Sequence, residues 1–296
     1  MKFQLICDSS CDLGNNFTTR ENVEIVPLSV SFDGETYYKD GVEITSNEFF
    51  EKLISDPSIM PKSSLPQVQD YIDVFEKYVK ENMPVICTTI SAKFSGSYNS
   101  ACMARDQILE DYPDARIEVY DSTHNTVCFG LFANEIVKMR NADMTIDEAI
   151  AAMNKIVATG KIYFTIGSFA YLDKGGRLGK AVTTAGDKLG IKPIIIMSNG
   201  SITVGGIKRS RKKAKERVIE LIEEHFAQNN LDKSQYNFYV GYCYDKEEAL
   251  EFEKEVCDRL GVGMCTDFDG TIGVVSGVHT GPYALGVGLI KRYDAD

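Results

Sequence analysis

Short apolar runs alternate with amphipathic segments through the first half of the chain. The runs at residues 3–7, 85–90 and 117–120 each end in a polar turn, as buried strands do. Segments with helical periodicity lie around them, at residues 49–53, 68–78, 100–109, 127–139 and 149–157. Strands that alternate with helices predict an α/β fold with a mostly parallel sheet, which binds ligands at the carboxyl ends of its strands.

The segments between these elements predict one further strand, a hairpin and a loop. Residues 23–32 alternate like a single strand, and Asp33-Gly34 is typical of a hairpin turn. Residues 60–66 are predicted to form a rigid loop that carries hydroxyl groups, because Pro61 and Pro66 hold the backbone extended.

The periodicity breaks at residues 141–147, and a second α/β unit follows. Its predicted strands lie at residues 162–166, 192–197, 201–204, 236–242 and 271–275. One predicted helix follows the basic run 208–217, and another covers residues 246–260. Asn199-Gly200 predicts a hairpin turn. We therefore expect two domains, 1–158 and 159–296, and leave open whether the last segment packs back on the first domain.

Composition limits the function classes. The 296 residues carry a net charge of −11, which disfavours general binding to nucleic acids or anionic membranes. No apolar run approaches the roughly 20 residues of a membrane span. The first apolar run is too short for a signal peptide and is followed directly by the charged Asp8. We therefore expect a cytoplasmic protein. The eight cysteines include no CxxC pair, and most are expected to be small buried hydrophobes.

Residues 86–101 have the layout of a strand, a turn and the start of a helix. Hydroxyls of Ser95 and Ser97, free backbone N–H groups and the helix dipole would favour an acidic oxygen there, and Gly96 would let a ligand come close. A simple helix cap explains the same residues. Asp8, at the end of the first run, is likewise either an orienting group for a site or a cap.

Several motifs are excluded or remain ambiguous. The DFDGT segment at residues 267–271 resembles a phosphatase nucleophile loop, but too little chain follows it. The Gly-Lys pair at 179–180 lacks phosphate-loop spacing, there is no GxGxxG, and three separated histidines give no support for a metal site. The basic run 208–217 fits a solvated helix face or a docking surface for a protein partner.

Eight motifs, taken in order, resemble the DegV family of bacterial fatty-acid-binding proteins over nearly the whole chain. They are DSSCDL at 8–13, PKSSLPQ at 61–67, ISAKFSGSYNSA at 90–101, YDS at 120–122, LDKGGRLGKA at 172–181, IKP at 191–193, KRSRKKA at 208–214 and VHTGP at 278–282. The resemblance implies two α/β domains with a tunnel between them that holds one long-chain fatty acid. It also implies a separate ATP-dependent kinase, which phosphorylates the bound carboxylate for phospholipid synthesis.

The resemblance also assigns candidate residues. Hydroxyls of Ser63 and Ser95 and the imidazole of His279 would bind the carboxylate, and their neighbours Ser64, Gly96 and Thr280 would complete the ligand site. Arg177, Arg209 and Arg211 would face the kinase. Ser63-Ser64-Leu65-Pro66 and Tyr283 depart from the usual family pattern at the expected tunnel mouth.

The residues leave two other functions open. Ser95 and His279 could serve a hydrolase or acyl transferase, although no third catalytic member and no GxSxG elbow is evident. A lipid-responsive regulatory module is the other alternative. Our main expectation is a lipid-binding protein without catalytic activity, without a cofactor other than the bound fatty acid and without membrane insertion. The tunnel wall or the ordinary core would contain four apolar residues, Phe94, Phe164, Ile166 and Phe169.

Overall fold

The computed structural model describes residues 2–177, 190–268 and 271–295. Its strands are β1 (Gln4–Asp8), β2 (Val23–Val26), β3 (Ser29–Ser31), β4 (Tyr38–Lys39), β5 (Lys62–Ser64), β6 (Val85–Thr89), β7 (Ile117–Asp121), β8 (Lys161–Thr165), β9 (Lys192–Ser198), β10 (Ser201–Lys208), β11 (Tyr236–Tyr242) and β12 (Leu285–Lys291). Its helices are α1 (Asn15–Arg20), α2 (Ser46–Ser55), α3 (Val68–Lys80), α4 (Ser97–Asp111), α5 (Thr126–Asn141), α6 (Ile146–Ile156), α7 (Ala170–Lys174), α8 (Arg211–Gln228), α9 (Lys246–Leu260) and α10 (Val274–Thr280). None of these helices is long and apolar enough to span a bilayer.

The first sheet is parallel, as its alternating strands and helices predict. Its strand order is β2-β1-β6-β7, and every pairing is parallel. Side chains of β1 alternate between two cores: Ile6 packs with α3 and α4, whereas Leu5 and Cys7 pack with α5. Both faces of the sheet are therefore covered by helices, and only its strand ends remain for a ligand.

The second sheet is antiparallel throughout, in the order β10-β9-β8-β12-β11. Helices α8 and α9 cover one face, with Val218, Ile222 and Phe252 in that core. The hairpin predicted at Asn199-Gly200 is confirmed as the turn between β9 and β10.

Helix α5 lies between the two sheets. Almost all of its side chains are buried, and its core includes Leu5 of the first sheet and Met197, Tyr239 and Ile290 of the second. A helix that is apolar around most of its circumference is stable only when it is covered on several sides. Packing of both sheets on this one helix joins the two halves of the chain.

Three predictions from local pattern are wrong. Residues 23–32 form two strands, because β2 pairs with β1 whereas β3 turns away to pair with β4 and β5. Residues 60–66 contain β5 rather than only a loop. Residues 271–275 lead into α10, and only Thr271 makes an isolated β-bridge, to Tyr242.

Helix α10 packs on elements from the first part of the chain. It shares a core with β3 and α2, including Val30, Phe49 and Phe50. Gly277 of α10 permits this contact, since a Cβ atom there would lie 2.6 Å from a ring carbon of Phe50. The last helix is thereby held beside β5, while the domain division at residue 158 remains a prediction.

Candidate ligand-binding site

A cavity of about 220 Å³ lies where β5, the loop after β6 and α10 meet. Its polar lining includes all six residues that the motifs assign to the ligand, namely Ser63, Ser64, Ser95, Gly96, His279 and Thr280. The rest of the lining is Leu28, Leu65, Ile90, Phe94, Asn125, Phe164, Leu172, Arg177, Met197, Ile202, Val275 and Ser276. The cavity is thus apolar along most of its wall, with hydroxyls and an imidazole among its polar groups. That these groups bind a carboxylate remains a prediction.

Ser63 and His279 form the polar centre of the cavity. The Ser63 Oγ and His279 Nε2 atoms lie 3.2 Å apart. Pairing of Ser63 with Val30 positions the hydroxyl on β5, and the packing of α10 positions the imidazole. Burial, aided by the positive charge of Arg177, lowers the pKa of His279 to about 4, so the ring is neutral at pH 7.

The second ring nitrogen of His279 has no hydrogen-bond partner among the described residues. Its Nδ1 atom lies against Gly175, where a Cβ atom would come within 2.1 Å. No hydrogen bond from a described residue therefore anchors the ring through Nδ1. No described carboxylate orients the ring as in a Ser-His-Asp triad.

Ser95 belongs to a tight turn after β6. Its Oγ lies 2.8 Å from the Ser97 Oγ and accepts a hydrogen bond of 3.2 Å from the Ser97 backbone N–H at the start of α4. The Ser95 hydroxyl therefore accepts a hydrogen bond from the first backbone N–H of α4 and also lines the cavity. Gly96 rather than a serine stands at the N-cap of α4 and makes no side-chain capping bond, so a simple serine cap does not account for this segment.

Asp8 holds the beginning of this turn. Its carboxylate accepts a 2.7 Å hydrogen bond from the Ile90 N–H and further hydrogen bonds from the N–H and hydroxyl of Ser10. Burial raises the pKa of Asp8 to about 6, although these hydrogen bonds act in the opposite direction. Asp8 is thus both the cap of the 3-10 turn at Ser9–Cys11 and a support for the Ser95 turn.

Lys93 connects the Ser95 turn to the second sheet. Its Nζ donates to the Asn199 carbonyl at 3.0 Å and to the Ser201 hydroxyl at 3.2 Å, both at the β9–β10 turn. Gly200 lies so close to Ser91 that a Cβ atom would approach its Oγ to 2.5 Å. The hairpin of the second sheet therefore supports one wall of the cavity.

Arg177 crosses the cavity instead of extending into solvent. Its Nε and Nη2 donate to the Phe94 carbonyl at 3.2 and 3.0 Å, and its Nη1 donates to the Gly175 carbonyl at 2.6 Å. It is the one charged side chain among the described lining residues. Residues 178–181 of the same motif lie outside the described residues, as do Asp269 and Gly270. Contact of Arg177 with a partner protein remains a prediction.

The other two arginines assigned to a partner differ in their surroundings. Arg209 is exposed just before α8. Arg211 is held by three hydrogen bonds of 2.8 to 3.1 Å to Glu248 of α9, and it also donates to the Tyr283 carbonyl at 2.9 Å. Much of the basic run is therefore neutralised by acidic neighbours, which also include Glu220 and Glu224 at Arg217.

Leu65 lies at the mouth of the cavity, opposite the Ser95 turn. It is 38% exposed, and its Cδ2 atom is 3.1 Å from where a Cβ atom on Gly96 would lie. Leu65 thus connects the Ser63 strand to the Ser95 turn by an apolar contact. Tyr283, the other departure from the family pattern, is 53% exposed and packs beside Gly167.

Two polar residues of the cavity lining were not predicted from the sequence. Asn125 precedes α5 without capping it, and Ser276 lies on α10 one turn before Thr280. Of the four candidate aromatic and aliphatic wall residues, Phe94 and Phe164 line the cavity, whereas Ile166 and Phe169 are buried in the core around α10. In the described part of the chain, no group of three His, Cys, Asp or Glu residues is arranged to hold a metal ion.

Comparisons with known proteins agree with the eight motifs. A family model described as an uncharacterised protein of the DegV family matches residues 2–292. A DegV domain-containing protein of Clostridium acetobutylicum is 30% identical over 292 residues, which cover 97% of each chain, and one of Clostridium perfringens is 29% identical over 99% of this chain and all of its own.

Solved structures show the same fold. The crystal structure of a stearic-acid-binding protein from Eubacterium ventriosum superimposes with a TM-score of 0.95 at 46% identity and covers 99% of both chains. A DegV family protein from Thermus thermophilus, described for its fatty-acid binding, has a TM-score of 0.86 at 25% identity and covers 98% of this chain and 100% of its own. With a family model that matches residues 2–292 and relatives over its full length, this chain belongs to the DegV family.

Proposed function

We propose that this protein binds one long-chain fatty acid in the cavity between β5, the Ser95 turn and α10. The observation that carries the proposal is a mostly apolar cavity in which the Ser63 hydroxyl and the His279 imidazole lie 3.2 Å apart. Fatty-acid binding by the similar proteins of Eubacterium ventriosum and Thermus thermophilus supports the same ligand class.

The physical requirements of such a ligand match the lining. Burial of an alkyl chain contributes about 0.8 kcal/mol per methylene group before the costs of association. A buried carboxylate needs hydrogen-bond donors, which Ser63, Ser95 and the neutral His279 can supply, with Ser64, Gly96 and Thr280 beside them. The positive charge of Arg177 adds a favourable field at the same end of the cavity.

We further propose that the protein presents the carboxylate to a separate kinase and does not itself catalyse a reaction. A carboxylate oxygen would attack the γ-phosphorus of ATP, which gives an acyl-phosphate and releases ADP. Arg177, Arg209 and Arg211 are the residues proposed to face this partner. The family motifs support this step, and the absence of an oriented third group beside His279 among the described residues disfavours autonomous Ser-His hydrolysis.

Native mass spectrometry of the purified protein tests the binding proposal. We expect one stoichiometric fatty acid, released on denaturation, and weaker retention in Ser63→Ala. Ser234→Ala is a matched control, because Ser234 is exposed, lies just before the start of β11 and does not line the cavity. An empty protein that also ignores added fatty acids would contradict the proposal. Ester hydrolysis that disappears in Ser95→Ala would instead favour the hydrolase.

A further inference from the structure

Asn125 is a polar residue of the ligand cavity to which the motifs assign no role. It lies in the turn between β7 and α5, and it lines the cavity together with Ser276 and Thr280 of α10. Its Oδ1 is buried without a hydrogen bond to any described residue, and its side chain does not cap α5. Buried polar groups in proteins are normally paired, so an amide without a protein partner on a cavity wall is available to a ligand.

The turn that carries Asn125 is tied to the Ser95 turn. The Ser91 N–H at the start of the Ser95 turn donates to the His124 carbonyl at 2.9 Å. The His124 ring is anchored as well, because its Nε2 donates to the Val157 carbonyl at 2.8 Å. Asn125 therefore directly follows a residue that is fixed to the turn from which the Ser95 hydroxyl reaches the cavity.

The backbone on both sides of Asn125 is strained. Thr123 and Thr126 have φ angles of 56° and 42°, in the left-handed region that β-branched residues rarely adopt. Such strain persists only where the surroundings fix it, and it is often found at functional sites. Here the Thr126 hydroxyl donates to the buried carboxylate of Asp12, which also accepts from the Gly273 N–H at the start of α10. One carboxylate thus holds both the strained turn and the helix that carries the imidazole of the site.

We propose that Asn125 is a further carboxylate-binding residue, whose Nδ2 donates a hydrogen bond to the bound fatty acid. A carboxylate only accepts hydrogen bonds and has about four acceptor positions. The Ser63–His279 contact uses one proton of that pair, and the Thr280 hydroxyl already donates to the Ser276 carbonyl at 3.0 Å. The carboxylate therefore has acceptor positions left for an amide donor. This inference rests on the proposed function.

The alternative is that Asn125 contacts only the alkyl chain. Methylene groups make no hydrogen bonds, so a chain that displaces water from this amide would leave it unpaired and would lower affinity. The two positions differ in their response to a ligand that keeps the chain and loses the charge. A carboxylate-binding amide distinguishes an acid from an alcohol of equal length, whereas an amide beside the chain does not.

Competition binding of hexadecanoic acid and hexadecan-1-ol to delipidated protein at pH 8 tests the assignment. The measured quantity is the ratio of the dissociation constant of the alcohol to that of the acid. We expect Asn125→Ala to lower this ratio about fivefold or more, because a hydrogen bond to a charged group contributes more than one to a neutral hydroxyl. Asn125→Asp, which has nearly the same shape, should lower the ratio further, because it places a second negative charge beside the carboxylate.

Asn99→Asp is the matched control. Asn99 is exposed on α4 and does not line the cavity, so we expect the wild-type ratio in this variant. Equal losses of acid and alcohol affinity in both Asn125 variants, or no loss in either, would overturn the assignment and leave fatty-acid binding intact. Failure of hexadecanoic acid to bind the wild type would overturn the proposed function as well.

A crystal structure of the wild type with hexadecanoic acid gives a second measurement, which does not depend on the folding of a variant. A carboxylate oxygen within about 3.5 Å of the Asn125 Nδ2 supports the assignment. Methylene groups against the amide, with the carboxylate elsewhere, refute it.

Discussion

The Ser63 Oγ and the His279 Nε2 lie 3.2 Å apart although the residues are 216 positions apart in the chain. The contact joins β5, a strand of the three-stranded sheet β4-β3-β5 in the first half of the chain, to α10, which lies near the end of the second half. A site made in this way assembles only when both halves are folded.

Loss of either member of this pair should weaken fatty-acid binding. We expect Ser63→Ala and His279→Ala each to lower affinity about tenfold or more, because hydrogen bonds to a charged group contribute roughly 1.5–3 kcal/mol. Isothermal titration calorimetry with one fatty acid measures the effect. Affinities that match those of Ser234→Ala would show that the carboxylate binds elsewhere.

The neutral state of His279 predicts a specific pH dependence of stability. Its folded-state pKa of about 4 lies below the ordinary 6.5, so between pH 7 and pH 5 the unfolded chain gains a proton that the folded chain does not. Unfolding is thereby favoured as pH falls. We expect the ligand-free wild type to lose about 2 kcal/mol more unfolding free energy over this interval than His279→Gln, as measured by urea denaturation. Parallel pH profiles would contradict the lowered pKa.

The Ser95 turn should depend on Asp8. Asp8→Ala removes the acceptor of the Ile90 N–H and leaves that buried group unpaired. We expect faster hydrogen exchange at residues 90–95 and weaker ligand binding. Glu118→Ala, a change of a β7 carboxylate whose side chain is 42% exposed, serves as the comparison. Unchanged exchange at the turn would mean that Lys93 and the β9–β10 hairpin hold it unaided.

Leu65 should slow ligand release. Leu65→Ala removes the apolar contact across the cavity mouth, so we expect severalfold faster dissociation in stopped-flow measurements with little change in stability, since the side chain is 38% exposed. Leu250→Ala is the matched control, because Leu250 is an exposed leucine on α9. Equal dissociation rates for the two variants would exclude a closing role.

Local sequence was sufficient where the determining interactions are local. Helix α2 forms over the segment 49–53 whose periodicity predicts it, and the capping box of Thr45 and Glu48 begins it. Asn199-Gly200 forms the predicted hairpin turn between β9 and β10. Helix α9 covers the predicted residues 246–260. In these cases the periodicity and the capping or turn residues lie within the same short segment.

Local sequence failed where a distant partner determines the backbone. Residues 62–64 extend as β5 because β3 is beside them, and residues 274–280 are helical where they pack on Phe49 and Phe50. A strand pairing or a packed face contributes more free energy than the weak preference of a few residues, so pattern alone cannot decide such segments.

The same distinction applies to the site. The sequence, through its motifs, determined the family and named Ser63, Ser95 and His279 as candidate ligand groups. Only the tertiary structure decided that they line one cavity, that Arg177 crosses it and that Asn125 and Ser276 line it as well. Motifs record residue types along the chain, whereas a cavity and its unpaired atoms depend on which distant side chains the packing of both sheets on α5 brings together.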